Sequence, residues 1–144
     1  MFKHILLPTD GSEASLRAVA KGAELAKSVG AEVTLMIAMD HFAVHRLVSG
    51  YGPEDESMQQ AARDSAGPWL AAAQAVVDQH GVKSQQLIVP QGKVHQCILE
   101  AAKKSGADLI VMGTHGAGAF ERLMVGSETQ RVLAHTTIPV LVTH

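Results

Sequence analysis

Residues 113–129, GTHGAGAFERLMVGSET, carry glycines and hydroxyl side chains at a spacing that could bind phosphate. The spacing is Gly113-x2-Gly116-x9-Gly126-Ser127. Glycines adopt positive φ and let a backbone approach a ligand closely, and successive N–H groups in such a loop can form an anion-binding nest. A helix that begins at Ser127 would add unpaired N–H groups and a favourable dipole. The segment therefore predicts a phosphate-binding loop, although it lacks the Gly-Lys-Ser/Thr of a Walker loop.

A second polar segment, PTDGS at residues 8–12, follows the first apolar run of the chain. Two roles are open for its acid: Asp10 could contact a ligand, or it could cap the helix that follows. Ser12 is the predicted N-cap of that helix. If the strands before this segment and before Gly113 are neighbours, both polar segments line one crevice.

Strands and helices alternate along the chain in a pattern typical of an α/β fold. Short apolar runs predict buried strands, and amphipathic segments that end at glycine predict helices. The alternation favours one parallel sheet with helices on both faces, and ligands bind such sheets beyond the carboxyl ends of the strands. The predicted strands are Lys3–Pro8, Ala31–Met39, Ser84–Pro90, Ala107–Gly113 and Ile138–His144, and the predicted helices are Ser12–Gly30, Met58–His80, His95–Gly106 and Ser127–His135.

Two parts of this pattern are irregular. The helix Met58–His80 contains Gly67-Pro68, where the proline removes a backbone hydrogen bond and predicts a kink or a restart. Residues 40–57 show no clean period and predict a long loop, which in a compact domain is often functional. His41 and His45 in this loop could form a metal pair, but no third ligand is near, so no metal site is predicted.

Composition and charge exclude several classes of partner. The chain has 144 residues, 47% of them hydrophobic, which suits a single domain over residues 1–144. A net charge of −2 without a basic run argues against nucleic acid and anionic membranes. The N-terminal apolar run is too short for a signal peptide, and no run reaches the ~20 residues of a membrane span. We therefore expect a cytoplasmic protein that binds neither nucleic acid nor membrane.

Four segments resemble the ATP-binding branch of the universal stress protein family. They are ILLPTDGSEAS near the start, ADLIVMGTHG at the fourth strand, VGSETQRVL in the last helix and IPVLV at the end. The resemblance extends from Lys3 to Val142, and Gly-x2-Gly-x9-Gly-Ser/Thr is the ATP motif of that family. It implies an open, doubly wound, parallel five-stranded sheet that is Rossmann-like and adenine nucleotide alpha hydrolase-like, with strand order 3-2-1-4-5.

The resemblance also implies a ligand, ATP with Mg²⁺, and a set of residues that contact it. Asp10 would lie near the ribose or the phosphates, and Ala38 would touch the adenine. The last strand would pair with its copy in a homodimer through Pro139–Thr143, which would cover an apolar sheet edge. The residues that the resemblance places at the nucleotide are Pro8, Thr9, Asp10, Ala38, Gly113, Thr114, His115, Gly116, Ala117, Gly118, Gly126, Ser127, Glu128 and Thr129.

Two residues depart from the family pattern. Glu128 follows Gly-Ser where the family usually has a small apolar residue. Its carboxylate could repel a triphosphate, or it could help to hold a bridging metal. Ala117 replaces an arginine or a similar residue, and Arg122 is a candidate for the missing positive charge.

Three functions remain open at this stage. The resemblance favours an ATP-binding regulatory protein of the stress response, which acts as a nucleotide-dependent switch or adaptor for an unidentified protein partner. No catalytic base is evident beside the phosphates, so no catalytic residue is predicted. The enzymatic alternative is a slow, metal-dependent ATP hydrolase with Asp10 or Glu128 as metal ligands. The third alternative is a dimeric scaffold that binds no nucleotide.

Overall fold

The computed structural model describes residues 1–38, 56–89, 92–114 and 125–144, and strands and helices alternate along them as predicted. The strands are His4–Pro8 (β1), Glu32–Ala38 (β2), Ser84–Val89 (β3), Leu109–Gly113 (β4) and Val140–Thr143 (β5). The helices are Glu13–Val29 (α1), Glu56–His80 (α2), Val94–Ser105 (α3) and Ser127–His135 (α4).

The five strands of the described ranges form one parallel sheet in the order β3-β2-β1-β4-β5, which confirms the predicted fold class and strand order. β1 pairs with β2 on one side and with β4 on the other, so that Leu7 lies opposite Leu35 and Leu6 opposite Ile110. The strand order therefore reverses at β1. Because parallel strands end at the same edge of the sheet, the two polar segments that follow β1 and β4 begin side by side there.

Helices cover both faces of the sheet. Successive residues of β1 point to opposite faces, so this strand contacts both layers of helices. Ile5 and Leu7 pack with buried residues of α1 and α2, whereas Leu6 packs with buried residues of α3 and α4. All three side chains are fully buried, which explains why the strand is a continuous apolar run rather than an alternating one. These two cores hold the starts of α1, α3 and α4 near the carboxyl edge of the sheet.

The two ends of α1 follow directly from its sequence. The side-chain oxygen of Ser12 accepts a hydrogen bond from the backbone N–H of Ser15 at 3.2 Å, which confirms the predicted N-cap. Gly30 ends the helix with a φ of 70°, a left-handed conformation in which a Cβ would be strained. The Ser12 cap fixes the first turn of α1, which follows the carboxyl end of β1.

Helix α2 runs without interruption from Glu56 to His80, so of the predicted kink or restart at Gly67-Pro68 the restart does not occur. The proline removes one backbone hydrogen bond, but burial of the apolar face of this helix outweighs that loss. The buried residues around and after the proline are Ala66, Leu70, Ala73 and Val77. The helix also begins two residues before the predicted start at Met58, inside the segment predicted as a loop.

Candidate functional site

A cavity of about 200 Å³ opens at the carboxyl ends of β1, β2 and β4, beside the first turns of α1, α3 and α4. It lies at the edge where the strand order reverses, which is the place that parallel sheets of this type offer to ligands. The structure brings together at this cavity eight of the residues that the sequence predicts for the site. They are Pro8, Thr9, Asp10, Ala38, Gly113, Thr114, Glu128 and Thr129.

The other six predicted site residues are not among the described residues that line the cavity. Gly126 and Ser127 lie at the start of α4, where Ser127 is exposed, and they are not among the described lining residues. His115, Gly116, Ala117 and Gly118 lie outside the described residues, and so does Arg122. Residues 40–55 of the predicted loop at residues 40–57, with His41 and His45, lie outside them as well.

Ala38, which the sequence predicts at the adenine, belongs to an apolar wall whose other residues the sequence analysis did not assign to the site. Met36 and Ala38 share one side of β2, and Val94 and Ile98 lie one turn apart on α3. Met112 adds a side chain from β4. The i, i+2 and i, i+4 spacings of these residues were readable in the sequence, but they signal only burial, since a residue that faces the core has the same spacing.

Hydrogen bonds within the segment after β1 fix its shape. The hydroxyls of Thr9 and Ser15, both buried, lie 2.9 Å apart, and the backbone N–H of Thr9 donates to the carbonyl of Met36 at 2.8 Å. The Asp10 carboxylate accepts a hydrogen bond from the backbone N–H of Ser12 at 2.9 Å. Ser12 is thus the helix cap, and Asp10 forms a local turn while it also lines the cavity.

Gly11 and Trp69 hold this segment from the outside. Gly11 has a φ of +82°, and a Cβ at this position would lie 2.6 Å from Cγ of Trp69. The indole ring of α2 therefore packs directly on the backbone of the turn. Only glycine combines this positive φ with such close contact.

The end of β4 is tied to both neighbouring elements. The hydroxyl of Thr129 on α4, which is buried, donates to the carbonyl of Gly113 at 3.2 Å. The backbone N–H of Thr114 donates to the carbonyl of Thr143 at 2.9 Å, and the Thr114 hydroxyl lies 3.1 Å from Nδ1 of His144. The strand end, the start of α4 and the end of β5 thus form one connected unit at the cavity.

Two helix N-termini at the cavity lack a cap from their own N-cap residue. Gly126 precedes α4, and Lys93 precedes α3, and neither makes a side-chain capping hydrogen bond. Glu128 caps α3 instead, because its Oε2 accepts a hydrogen bond from the backbone N–H of His95 at 3.0 Å. Among the described contacts no side chain caps α4 in this way, and the N–H groups and the dipole of a helix start favour an anion.

Carboxylates dominate the charge of the described cavity wall. Asp10 and Glu128 line it, and none of the described lining residues is a lysine or an arginine. Glu128 pairs with Arg131 on the same helix and lies 3.4 Å from the ring Nδ1 of His95. No group of three or more His, Cys, Asp and Glu side chains among the described residues is arranged to hold a metal ion.

A membrane span is not found either: none of the described helices is both long enough and apolar enough to cross a bilayer.

Comparison with known proteins identifies relatives of this chain. The model of the universal stress protein family matches residues 1–144. A universal stress protein of Thermus aquaticus is 36% identical over 98% of each chain. A solved structure of a family member from Burkholderia pseudomallei has a TM-score of 0.75 at 30% identity, and covers 98% of this chain and 95% of its own. A universal stress protein solved in complex with cAMP has a TM-score of 0.70 at 26% identity, over 99% of this chain and 97% of its own.

These matches extend over nearly the whole chain and agree with its fold. The chain belongs to the universal stress protein family.

Proposed function

We propose that this protein binds an adenine nucleotide, ATP with Mg²⁺, in the cavity at the carboxyl edge of its sheet, and that it acts as a nucleotide-dependent regulatory protein. The observation that carries the proposal is an apolar pocket whose lining includes Glu128 and Thr129 from the first turn of α4, a helix that no described side chain caps. A related structure contains cAMP, another adenine nucleotide, which supports the choice of ligand class.

The apolar wall suits the adenine base. Ala38 and Met36 of β2 and Val94 and Ile98 of α3 line the cavity, and together they offer a surface without charge. A flat aromatic base gains free energy when it leaves water for such a surface. Pro8, at the end of β1, extends the same wall.

The polar residues of the cavity suit ribose and phosphate. Thr9 and Asp10 offer oxygens within the fixed turn after β1, where a ribose hydroxyl can donate a hydrogen bond. The start of α4 at Gly126 and Ser127 offers backbone N–H groups that favour a phosphate. In this proposal the loop residues 115–118 complete the phosphate site, as the spacing of their glycines predicts.

A valine at Gly126 tests this assignment. A branched side chain there would stand between the phosphate and the N–H groups of α4, and we expect the affinity for Mg-ATP to fall by at least about tenfold, or about 1.4 kcal/mol. Gly67→Val is the matched control, because a Cβ at Gly67 on α2 meets nothing within 4 Å. Calorimetric titration of both variants checks this, and equal affinity in the two would refute the phosphate position.

Slow, metal-dependent ATP hydrolysis is the second candidate function. It is favoured by the two carboxylates, Asp10 and Glu128, in the cavity wall. Release of inorganic phosphate from Mg-ATP well above background, lost in Asp10→Asn, would favour it over a purely regulatory role.

We further propose a homodimer that forms through Pro139–Thr143. Within the described sheet β5 is an edge strand that pairs with β4, and Leu141 on it is 41% exposed. An exposed apolar edge strand is stabilised when a second copy covers it. Sedimentation velocity should show a dimer that Leu141→Lys dissociates, whereas Val29→Lys, at an exposed apolar residue at the end of α1, leaves it intact.

A further inference from the structure

Glu128 lines the cavity where the proposed phosphates would bind. Glu128 is the second residue of α4, it precedes the buried Thr129, and its side chain is 29% exposed. Both residues line the same cavity as Gly113 and Thr114. The side chain is thus part of the wall at its phosphate end.

Contacts with two helices hold this carboxylate in place. Oε2 accepts the backbone N–H of His95 and lies near the ring of the same residue, while Oε1 pairs with Arg131. Rotation of the side chain out of the cavity would leave the start of α3 without this cap, since Lys93 supplies none. The negative charge therefore stays in the wall when a ligand enters.

Arg131 is the cation that pairs with Glu128 among the described residues. Arg131 is 56% exposed, so solvent screens its charge, and the described lining residues add a second acid, Asp10, but no cation. We propose that Glu128 is a specificity-determining residue that selects the ligand by the charge of its phosphate end and disfavours metal-free polyphosphates. The proposal rests on the function proposed above and assigns Glu128 a role in selection rather than in metal binding.

The size of the effect follows from Coulomb's law. A unit charge at the wall of an open cavity changes the affinity for each further unit charge on the ligand by about twofold, because the effective dielectric of a water-filled cavity is close to that of water. Adenosine carries no phosphate and is not repelled. Removal of the Glu128 charge should therefore leave adenosine unaffected and improve the binding of metal-free ATP by about tenfold.

The test compares Glu128→Gln with the wild-type protein. Glutamine keeps the size of the side chain and an oxygen that can accept the N–H of His95, so the cap of α3 is retained. Adenosine, AMP, ADP and ATP are titrated by calorimetry in EDTA and again with excess Mg²⁺. Glu100→Gln is the matched control, because Glu100 is exposed on α3 and is not among the cavity residues.

The ratio of the two affinities, variant over wild type, decides between the outcomes. A ratio that rises from about one for adenosine to about ten for ATP in EDTA, and shrinks with Mg²⁺, supports charge selection. An equal ratio for all four ligands, or a ratio below one for ATP, overturns it while the proposed function stands. The absence of binding of any of the four ligands to wild type overturns both.

Discussion

A methyl group added at Gly113 should strain the contact between sheet and helix on which the cavity depends. Gly113 is the last residue of β4, and its missing side chain lets α1 pass closely over the strand end. A Cβ built there lies 2.8 Å from the carbonyl oxygen of Ala14, 3.3 Å from its carbonyl carbon and 3.5 Å from Cβ of Ala18. The nearest atom belongs to the backbone of a helix, so no side-chain rotation can relieve the clash.

The displacement that the added methyl group requires determines how much Gly113→Ala destabilises the fold. Ordinary van der Waals contact begins at 3.4 Å, so the start of α1 or the end of β4 must move by about 0.6 Å in Gly113→Ala. Overpacking of this kind costs typically about 1–3 kcal/mol of unfolding free energy. The moved segments carry Asp10 and Thr114, so we also expect the affinity for Mg-ATP to fall by about tenfold, or about 1.4 kcal/mol.

Denaturation in urea, followed by circular dichroism, measures the first effect, and calorimetry measures the second. Gly67→Ala is the control, because the same methyl group meets nothing within 4 Å on α2 and should raise the unfolding free energy by about 0.5–1 kcal/mol. If Gly113→Ala is as stable as wild type and binds Mg-ATP equally well, the close approach of α1 to β4 does not support the cavity.

Further substitutions test the core and the hydrogen bonds around the site. Gly22→Ala would place a Cβ 2.2 Å from Cδ2 of Leu7 and should cost about 1–3 kcal/mol, and a double-mutant cycle with Leu7→Ala should show that the second change removes part of this cost. Thr129→Val should cost about 1 kcal/mol in urea denaturation, because its hydroxyl bonds the last carbonyl of β4 at 3.2 Å. Burial raises the pKa of the Asp108 carboxyl, but backbone N–H groups of residues 3 and 4 donate to it, and the net pKa is below its ordinary value. The carboxylate therefore stabilises the fold above its unfolded pKa and loses this effect as the pH falls through the lower folded value, so Asp108→Asn should destabilise by about 1 kcal/mol at pH 7 and by less in acid.

Local sequence patterns were sufficient to predict the fold. Apolar runs such as residues 3–8, the caps at Ser12 and Gly30, and the alternation of elements each have a local physical cause, and the family resemblance supplied the strand order. The exception is α2, where Pro68 tends to end a helix. This tendency was outweighed because the apolar face of α2 is buried against residues that are distant in the sequence. Tertiary packing of this kind is not visible in a window of sequence.

The site was less accessible to prediction. Asp10 and Thr129 could be placed at the cavity because they stand at fixed offsets from a strand end and a helix start. Val94 and Ile98 could not, because an apolar pair on a helix face has the same spacing whether it meets the sheet or a ligand. The bond from Glu128 to the start of α3 joins residues far apart in sequence, and only the packing of the two helices brings them together.

Calorimetric titration of the ligand-free protein with Mg-ATP tests the central claim most directly. The account predicts one nucleotide bound per chain with a dissociation constant on the order of micromolar, corresponding to about −8 kcal/mol, and competition by adenosine for the same site. If no heat of binding is observed with Mg-ATP, Mg-ADP or cAMP while the fold is intact by circular dichroism, the cavity is not a nucleotide site. The protein would then act through its surfaces alone.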